Sequence, residues 1–170
     1  MNLFRKNSSR INQSEFSRSE DGAILVEFAI VLPVFLLVIA TAVVSGQMFW
    51  SYQSAISGVR DAGRYLGRVA PIDICLPPVG SLSGYNPKLK SIVEKDISDA
   101  SIFPSSVTIN SVTASLTCHP GSYRTTPAPV ATVTANMTIN LPMASVFSIF
   151  GSSLSPITIS ISDQSRIFGQ

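Results

Sequence analysis

Residues 28–46 include no charged side chain. With residues 23–27 ahead of them and Met48, Phe49 and Trp50 behind, the run exceeds the roughly 18–20 apolar residues that cross a bilayer as a helix. Lipid offers no partners to an open backbone, so a helix, whose amides are satisfied internally, is the expected form of such a run. One transmembrane helix is therefore predicted. Trp50 and Tyr52 would stand at its far interface, where amphipathic rings are favoured. Pro33 lacks the N–H that residue 29 would receive, which predicts a kink of the kind membrane helices tolerate.

Composition narrows the function classes. Charged residues make up 13% of the 170, about half the usual share for a soluble domain, and mean hydropathy is +0.34. An ordinary cytosolic enzyme is not expected. A disordered chain would be less apolar and more charged, and a net charge of +2 does not supply the basic stripe of a nucleic-acid binder. Ten acidic residues, one histidine and two cysteines leave little for a complex active site. No metal, cofactor or small-molecule substrate is expected.

Before the apolar run, Arg5, Lys6, Arg10 and Arg18 are interspersed with Glu15, Glu20 and Asp21 among Ser and Asn. Residues 1–22 read as an unstructured cytoplasmic leader. After the run, Ile56, Val59, Gly63 and Leu66 keep one face apolar while Gln53, Ser57, Arg60, Arg64 and Arg68 keep the other polar, the pattern of an amphipathic helix. The helix is predicted from about residue 23 to 67, about 65–70 Å long at 1.5 Å per residue, within a segment bounded at 23–68. Gly58, Ala62, Gly63 and Gly67 lie at helical spacing. They would permit close approach of another helix or of the chain's own domain, the alternative being ordinary helix packing.

Past Pro71 the composition turns to Pro, Gly, Ser and Thr, and residues 69–170 are predicted to form a separate α+β domain. Leu89, Ile92, Val93 and Ile97 suggest a short amphipathic helix over about 87–100. Residues 106–118 form a strand-like run whose apolar register shifts near Ser111 and Val112, which predicts a bulge. Residues 130–141 alternate apolar and polar with period two, the pattern of a half-buried strand, and Ile157, Ile159 and Ile161 repeat it. The predicted product is an antiparallel sheet of about three strands with one face covered by helix.

Within 69–170, Lys88, Lys90, Lys95, Arg124 and Arg166 balance Asp73, Glu94, Asp96, Asp99 and Asp163, so the domain has no electrostatic reason to seek an anionic partner. Charge alone leaves the membrane topology open, since Arg60, Arg64 and Arg68 nearly match the basic residues of the leader. Cys75 and Cys118 have neither redox-pair nor zinc spacing and predict a structural disulfide in an oxidising compartment, against the alternative of two buried thiols. His119 is the lone histidine and reads as an exposed loop residue. The G-S-L-S-G of residues 80–84 has Leu82 where a nucleophile elbow needs serine. The sequon at Asn136 and Thr138 reads as ordinary strand residues.

Glu27 is the anomaly of the apolar run. A carboxylate at full membrane depth costs on the order of 2.5–3.5 kcal/mol and is kept where it has a partner; nearer the interface the cost is smaller, and snorkelling to the headgroups is the alternative. Its neighbourhood is G-A-I-L-V-E-F, residues 22–28. This segment resembles the type IV prepilins and, within them, the TadE-like pseudopilins of the tight adherence (Flp) pilus apparatus. The resemblance extends through V-E-F-A-I-V-L-P-V-F-L-L and into R-D-A-G-R-Y, residues 60–65, where the family's R-x-G-A-R-Y order is altered. It also includes the later pattern of alternating strand, apolar loop with Pro142, Phe147, Ile149 and Phe150, and last strand.

The resemblance implies cleavage by a prepilin peptidase between Gly22 and Ala23. It also implies a role for Glu27, followed by Phe28, in pairing with the N-terminal amine of a neighbouring subunit and so setting helix register. The protein would be a non-catalytic minor pseudopilin that assembles or primes a pilus with other pilins and the assembly machinery. Its leader would be cytoplasmic, its helix in the bacterial inner membrane and its domain periplasmic, with possible incorporation into the pilus itself. The competing readings are an unprocessed single-pass anchor carrying a binding or sensory domain, and a secreted enzyme cut at an A-x-A site formed by Ala40, Thr41 and Ala42, for which the apolar run is long.

Overall fold

The computed structural model describes residues 20–141 and 155–169, with side chains from Gly22 onward. Helix α1 runs Glu20–Val69 and contains Pro33. A 3₁₀ turn at Ser83–Tyr85 leads into helix α2, Asn86–Glu94. Three strands follow: β1 at Val107–His119, β2 at Ala128–Ile139 and β3 at Ile157–Arg166. The architecture is α+β, as the sequence predicts. The leader up to residue 19 and the apolar loop with Pro142, Phe147, Ile149 and Phe150 lie outside the described residues.

The chain divides into two units, up to Ala42 and from Val43. In the first, described from residue 20, the structure is α1 alone, and its large apolar side chains are exposed, among them Phe28, Val34, Phe35 and Leu36. Its mean hydropathy over an 18-residue window reaches 2.9 with none of that window buried, so the helix is long and apolar enough to cross a membrane.

In the second unit, Ser51, Ala55, Gly58, Val59, Ala62, Gly63, Leu66 and Gly67 of α1 are buried. Steps of three and four residues place them on one stripe of a 3.6-residue helix. Arg60, Arg64 and Arg68 lie opposite and exposed. The stripe joins Leu89 and Val93 of α2 and the inner face of the sheet in one core. Each fully buried Leu or Val contributes about 1.5–3 kcal/mol by leaving water.

The sheet order is β1-β2-β3, antiparallel throughout. Ala131, Val133, Ala135, Met137 and Ile139 of the central strand are buried, which fits period-two alternation. Their opposite face carries cross-strand polar contacts. Asn110 Nδ2 donates to Thr138 Oγ1 at 2.7 Å, and Asn136 Nδ2 donates to Ser111 Oγ at 3.2 Å, so the sequon asparagine is engaged within the sheet. The register shifts between Ile109 and Ser111, beside the predicted bulge. Strand β3 continues past Ile161 through polar residues to Arg166, further than its isoleucine alternation alone indicates.

The second helix is shorter than the predicted 87–100. It ends at Glu94 because Asp96 draws the backbone into a turn: its Oδ1 accepts from Ser98 N at 2.8 Å, Ser98 Oγ at 2.7 Å and Ala100 N at 3.0 Å. Such local bonds compete with helix. Leu89 and Val93 are buried as expected, but Ile97 is fully exposed, at 106%, rather than on the helix's apolar face. At the other end of α2, Asn86 Oδ1 accepts from Ala114 N at 3.0 Å, fixing the helix start against edge strand β1.

Candidate functional site

The N-terminal motif lies in the first two turns of α1. Gly22, Ala23, Glu27 and Phe28 are all helical and exposed. Ala23 and Glu27 are four residues apart and so share a helix face. The described ion pairs are Arg64 with Asp61, Lys90 with Glu94, and Lys95 with Asp99; none involves Glu27. The Gly22–Ala23 peptide bond is in an exposed helical segment, where glycine weakens the helix by about 1 kcal/mol relative to alanine.

The small-residue positions of α1 meet the chain's own domain. A Cβ at Gly58 would stand 3.0 Å from Val93 Cα, and one at Gly67 would stand 2.9 Å from the carbonyl oxygen of Arg166. At Gly63 the nearest atom, Ser165 Cβ, would be 3.5 Å away, an ordinary contact. Ala62 is fully buried. The bond from Phe168 N to Gly67 O, 2.9 Å, holds the end of α1 to the chain just beyond β3. Pro33 lies inside α1, away from these contacts.

Cys75, in the loop after α1, is bonded to Cys118 near the end of β1, with the Cα atoms 5.8 Å apart. The sequence expectation of a disulfide is met. His119 is exposed, Leu82 of the G-S-L-S-G stretch is buried in the core, and the described residues contain no group of three or more potential metal ligands. The Ser98 hydroxyl, foremost, and the Ala100 amide hold the Asp96 carboxyl below the ordinary aspartate range.

A further surface was not legible in the sequence. Ile102, Phe103 and Pro104 line a groove with Gly46, Trp50 and Ser51 of α1. These segments are far apart in the chain, so no local spacing joins them; the available signal was the absence of charge from residues 100–119.

Among the described residues the fold combines one helix long and apolar enough to cross a membrane with a small α+β domain. The family model described as TadE-like protein matches residues 22–64, from the glycine of the motif to Arg64, entirely within α1. The match covers about a quarter of the chain and shows that this segment of α1 is similar to that of TadE-like proteins. No curated protein and no solved structure matches the chain.

Proposed function

We propose that the protein is a minor pseudopilin, processed by a prepilin peptidase between Gly22 and Ala23, that acts in assembly or priming of the tight adherence pilus without catalysing a reaction. The observation that carries this reading is Glu27: an exposed carboxylate four residues beyond Ala23, with no other charged residue from Gly22 to Val59, where the TadE-like match itself starts at Gly22.

Cleavage exposes an ammonium on Ala23 at the positive end of α1 and removes the acidic Glu20 and Asp21. A cation is unfavourable there, and Glu27 of an adjacent subunit is suited to neutralise it. That attraction strengthens where water is scarce and sets the axial register of packed helices, while the exposed apolar surface of residues 24–39 provides most of the contact. The disulfide fits a domain held in the oxidising periplasm, with the leader in the cytoplasm and the span in the inner membrane. Other pilins, pseudopilins and the assembly machinery are the partners.

Mass spectrometry of the protein recovered from membranes tests the processing. The expected mature N-terminus is Ala23; an N-terminus at Met1 would favour an unprocessed anchor with a binding or sensory domain, and one at Val43 a secreted product. Gly22→Trp should block cleavage. Glu27→Ala should leave cleavage intact and impair pilus formation; normal pili with this variant would refute the pairing role.

A further inference from the structure

The loop at residues 101–106 lies beside the part of α1 where a bilayer would end. Between Glu27 and Arg60 the helix carries no charged residue. A hydrocarbon core of about 30 Å takes about 20 helical residues. With Glu27 near one boundary, the other falls close to Gln47, and Trp50 is within one turn of it. There the groove already described opens between Gly46, Trp50 and Ser51 on α1 and Ile102, Phe103 and Pro104 on the loop.

Its rim is apolar and uncovered, with Trp50 71% and Ile102 37% exposed, and Phe49, the neighbour of Trp50 on α1, is 65% exposed. The loop is held in place from behind. Phe103 is buried in the core, its N–H bonds Ser101 Oγ at 3.2 Å, and Ile102 N donates to Glu94 O at 3.0 Å. In the adjoining turn, Lys95 Nζ meets Asp99 Oδ1 at 2.9 Å and the Asp96 carboxylate is occupied by the turn's own donors.

We propose that this rim is a second lipid contact: Ile102 and Pro104 seat with Phe49 and Trp50 in the headgroup–acyl boundary of the membrane that α1 crosses. The proposal rests on the reading of α1 as the span. Position in the chain decides the occupant. The rim residues of α1 directly follow the uncharged run, no charged residue lines the groove, and an exposed Trp beside a span end is favoured at the lipid interface. The domain would thereby rest on the bilayer at two points, the helix and the loop, which limits its rotation about the helix axis.

The protein has a single tryptophan, so two full-length variants read the two contacts separately in phosphatidylcholine vesicles. Trp50→Phe with Ile102→Trp places the probe on the loop, and Trp50→Phe with Leu36→Trp places it in the span. Lipids brominated near the headgroup should extinguish much of the emission of the loop probe, and lipids brominated deep in the chain that of the span probe. A span probe that is quenched beside a loop probe that is not would overturn the proposal and leave the groove to a protein partner. A span probe quenched by neither lipid would overturn the membrane reading of α1 itself, and this inference with it. Thermal unfolding midpoints matching wild type would establish that both variants retain the fold.

Discussion

Substituting Gly67 by alanine sets two opposed effects against each other at one atom. Alanine is about 1 kcal/mol better than glycine within a helix, so an open site would gain stability. At Gly67 the added carbon would stand 2.9 Å from both the Arg166 carbonyl oxygen and Ser165 Oγ. The serine hydroxyl can rotate away, but the carbonyl belongs to β3 and cannot. Relief requires the end of α1 to move outward by about half an ångström, against the bond from Phe168 N to Gly67 O. Overpacking of this kind costs about 1–3 kcal/mol, and a weakened hydrogen bond adds up to about 1 kcal/mol.

After the helix-propensity gain, Gly67→Ala should be destabilising by up to about 3 kcal/mol, or up to roughly 20 °C in unfolding midpoint for a domain of this size. Gly63→Ala, with its nearest contact at 3.5 Å, should be neutral or slightly stabilising. The assay is thermal unfolding of the full-length protein in detergent, followed by circular dichroism. Adding Ser165→Ala to Gly67→Ala should leave most of the loss in place, because the carbonyl remains. If Gly67→Ala unfolds at the same temperature as Gly63→Ala, the close approach of α1 to β3 is not as described.

Other expectations concern the domain alone. Opening the Cys75–Cys118 bond with reductant, or replacing both cysteines with serine, should cost about 4 kcal/mol by the loop-closure argument, measured by denaturant unfolding with and without reductant. Asn86→Ala leaves the Ala114 amide without its acceptor and should cost about 1 kcal/mol, with faster hydrogen exchange at that amide. Asp96 has a folded pKa below its unfolded one. Its contribution to stability is therefore full above the unfolded value and is lost as pH falls through the folded value. Carboxyl titration by NMR should place Asp96 below a free aspartate, and Asp96→Asn should remove its part of the acid-side loss.

What could be read in the sequence was periodic or contiguous. The central strand was legible because Ala131 to Ile139 alternate without interruption, and so was the stripe on α1 because residues 55–67 repeat at three and four. The N-terminal motif is contiguous, so its order survives in one dimension. The end of α2 was misplaced because Ile97 continues a helical spacing that the Asp96 turn overrides. The far end of β3 escaped notice because Asp163 and Ser165 occupy inner-face positions where an alternating pattern leads one to expect apolar side chains; the space there is set by glycines about a hundred residues earlier. The partner of those glycines, and the groove at Trp50, depend on contacts between distant segments that no spacing rule encodes.

The pairing of Gly63 and Gly67 with β3 joins an early part of the chain to one of its last. Synthesis proceeds from the N-terminus, so α1 is complete well before residues 157–168 leave the ribosome. Until they do, the glycine-lined surface of the helix has no strand to receive. A chain stopped before β3 would retain the TadE-like segment and the β1–β2 hairpin sequence but not the element that closes the helix face. Closure of that helix face is thus coupled to delivery of β3, and a chain truncated before residue 157 should expose it to proteases.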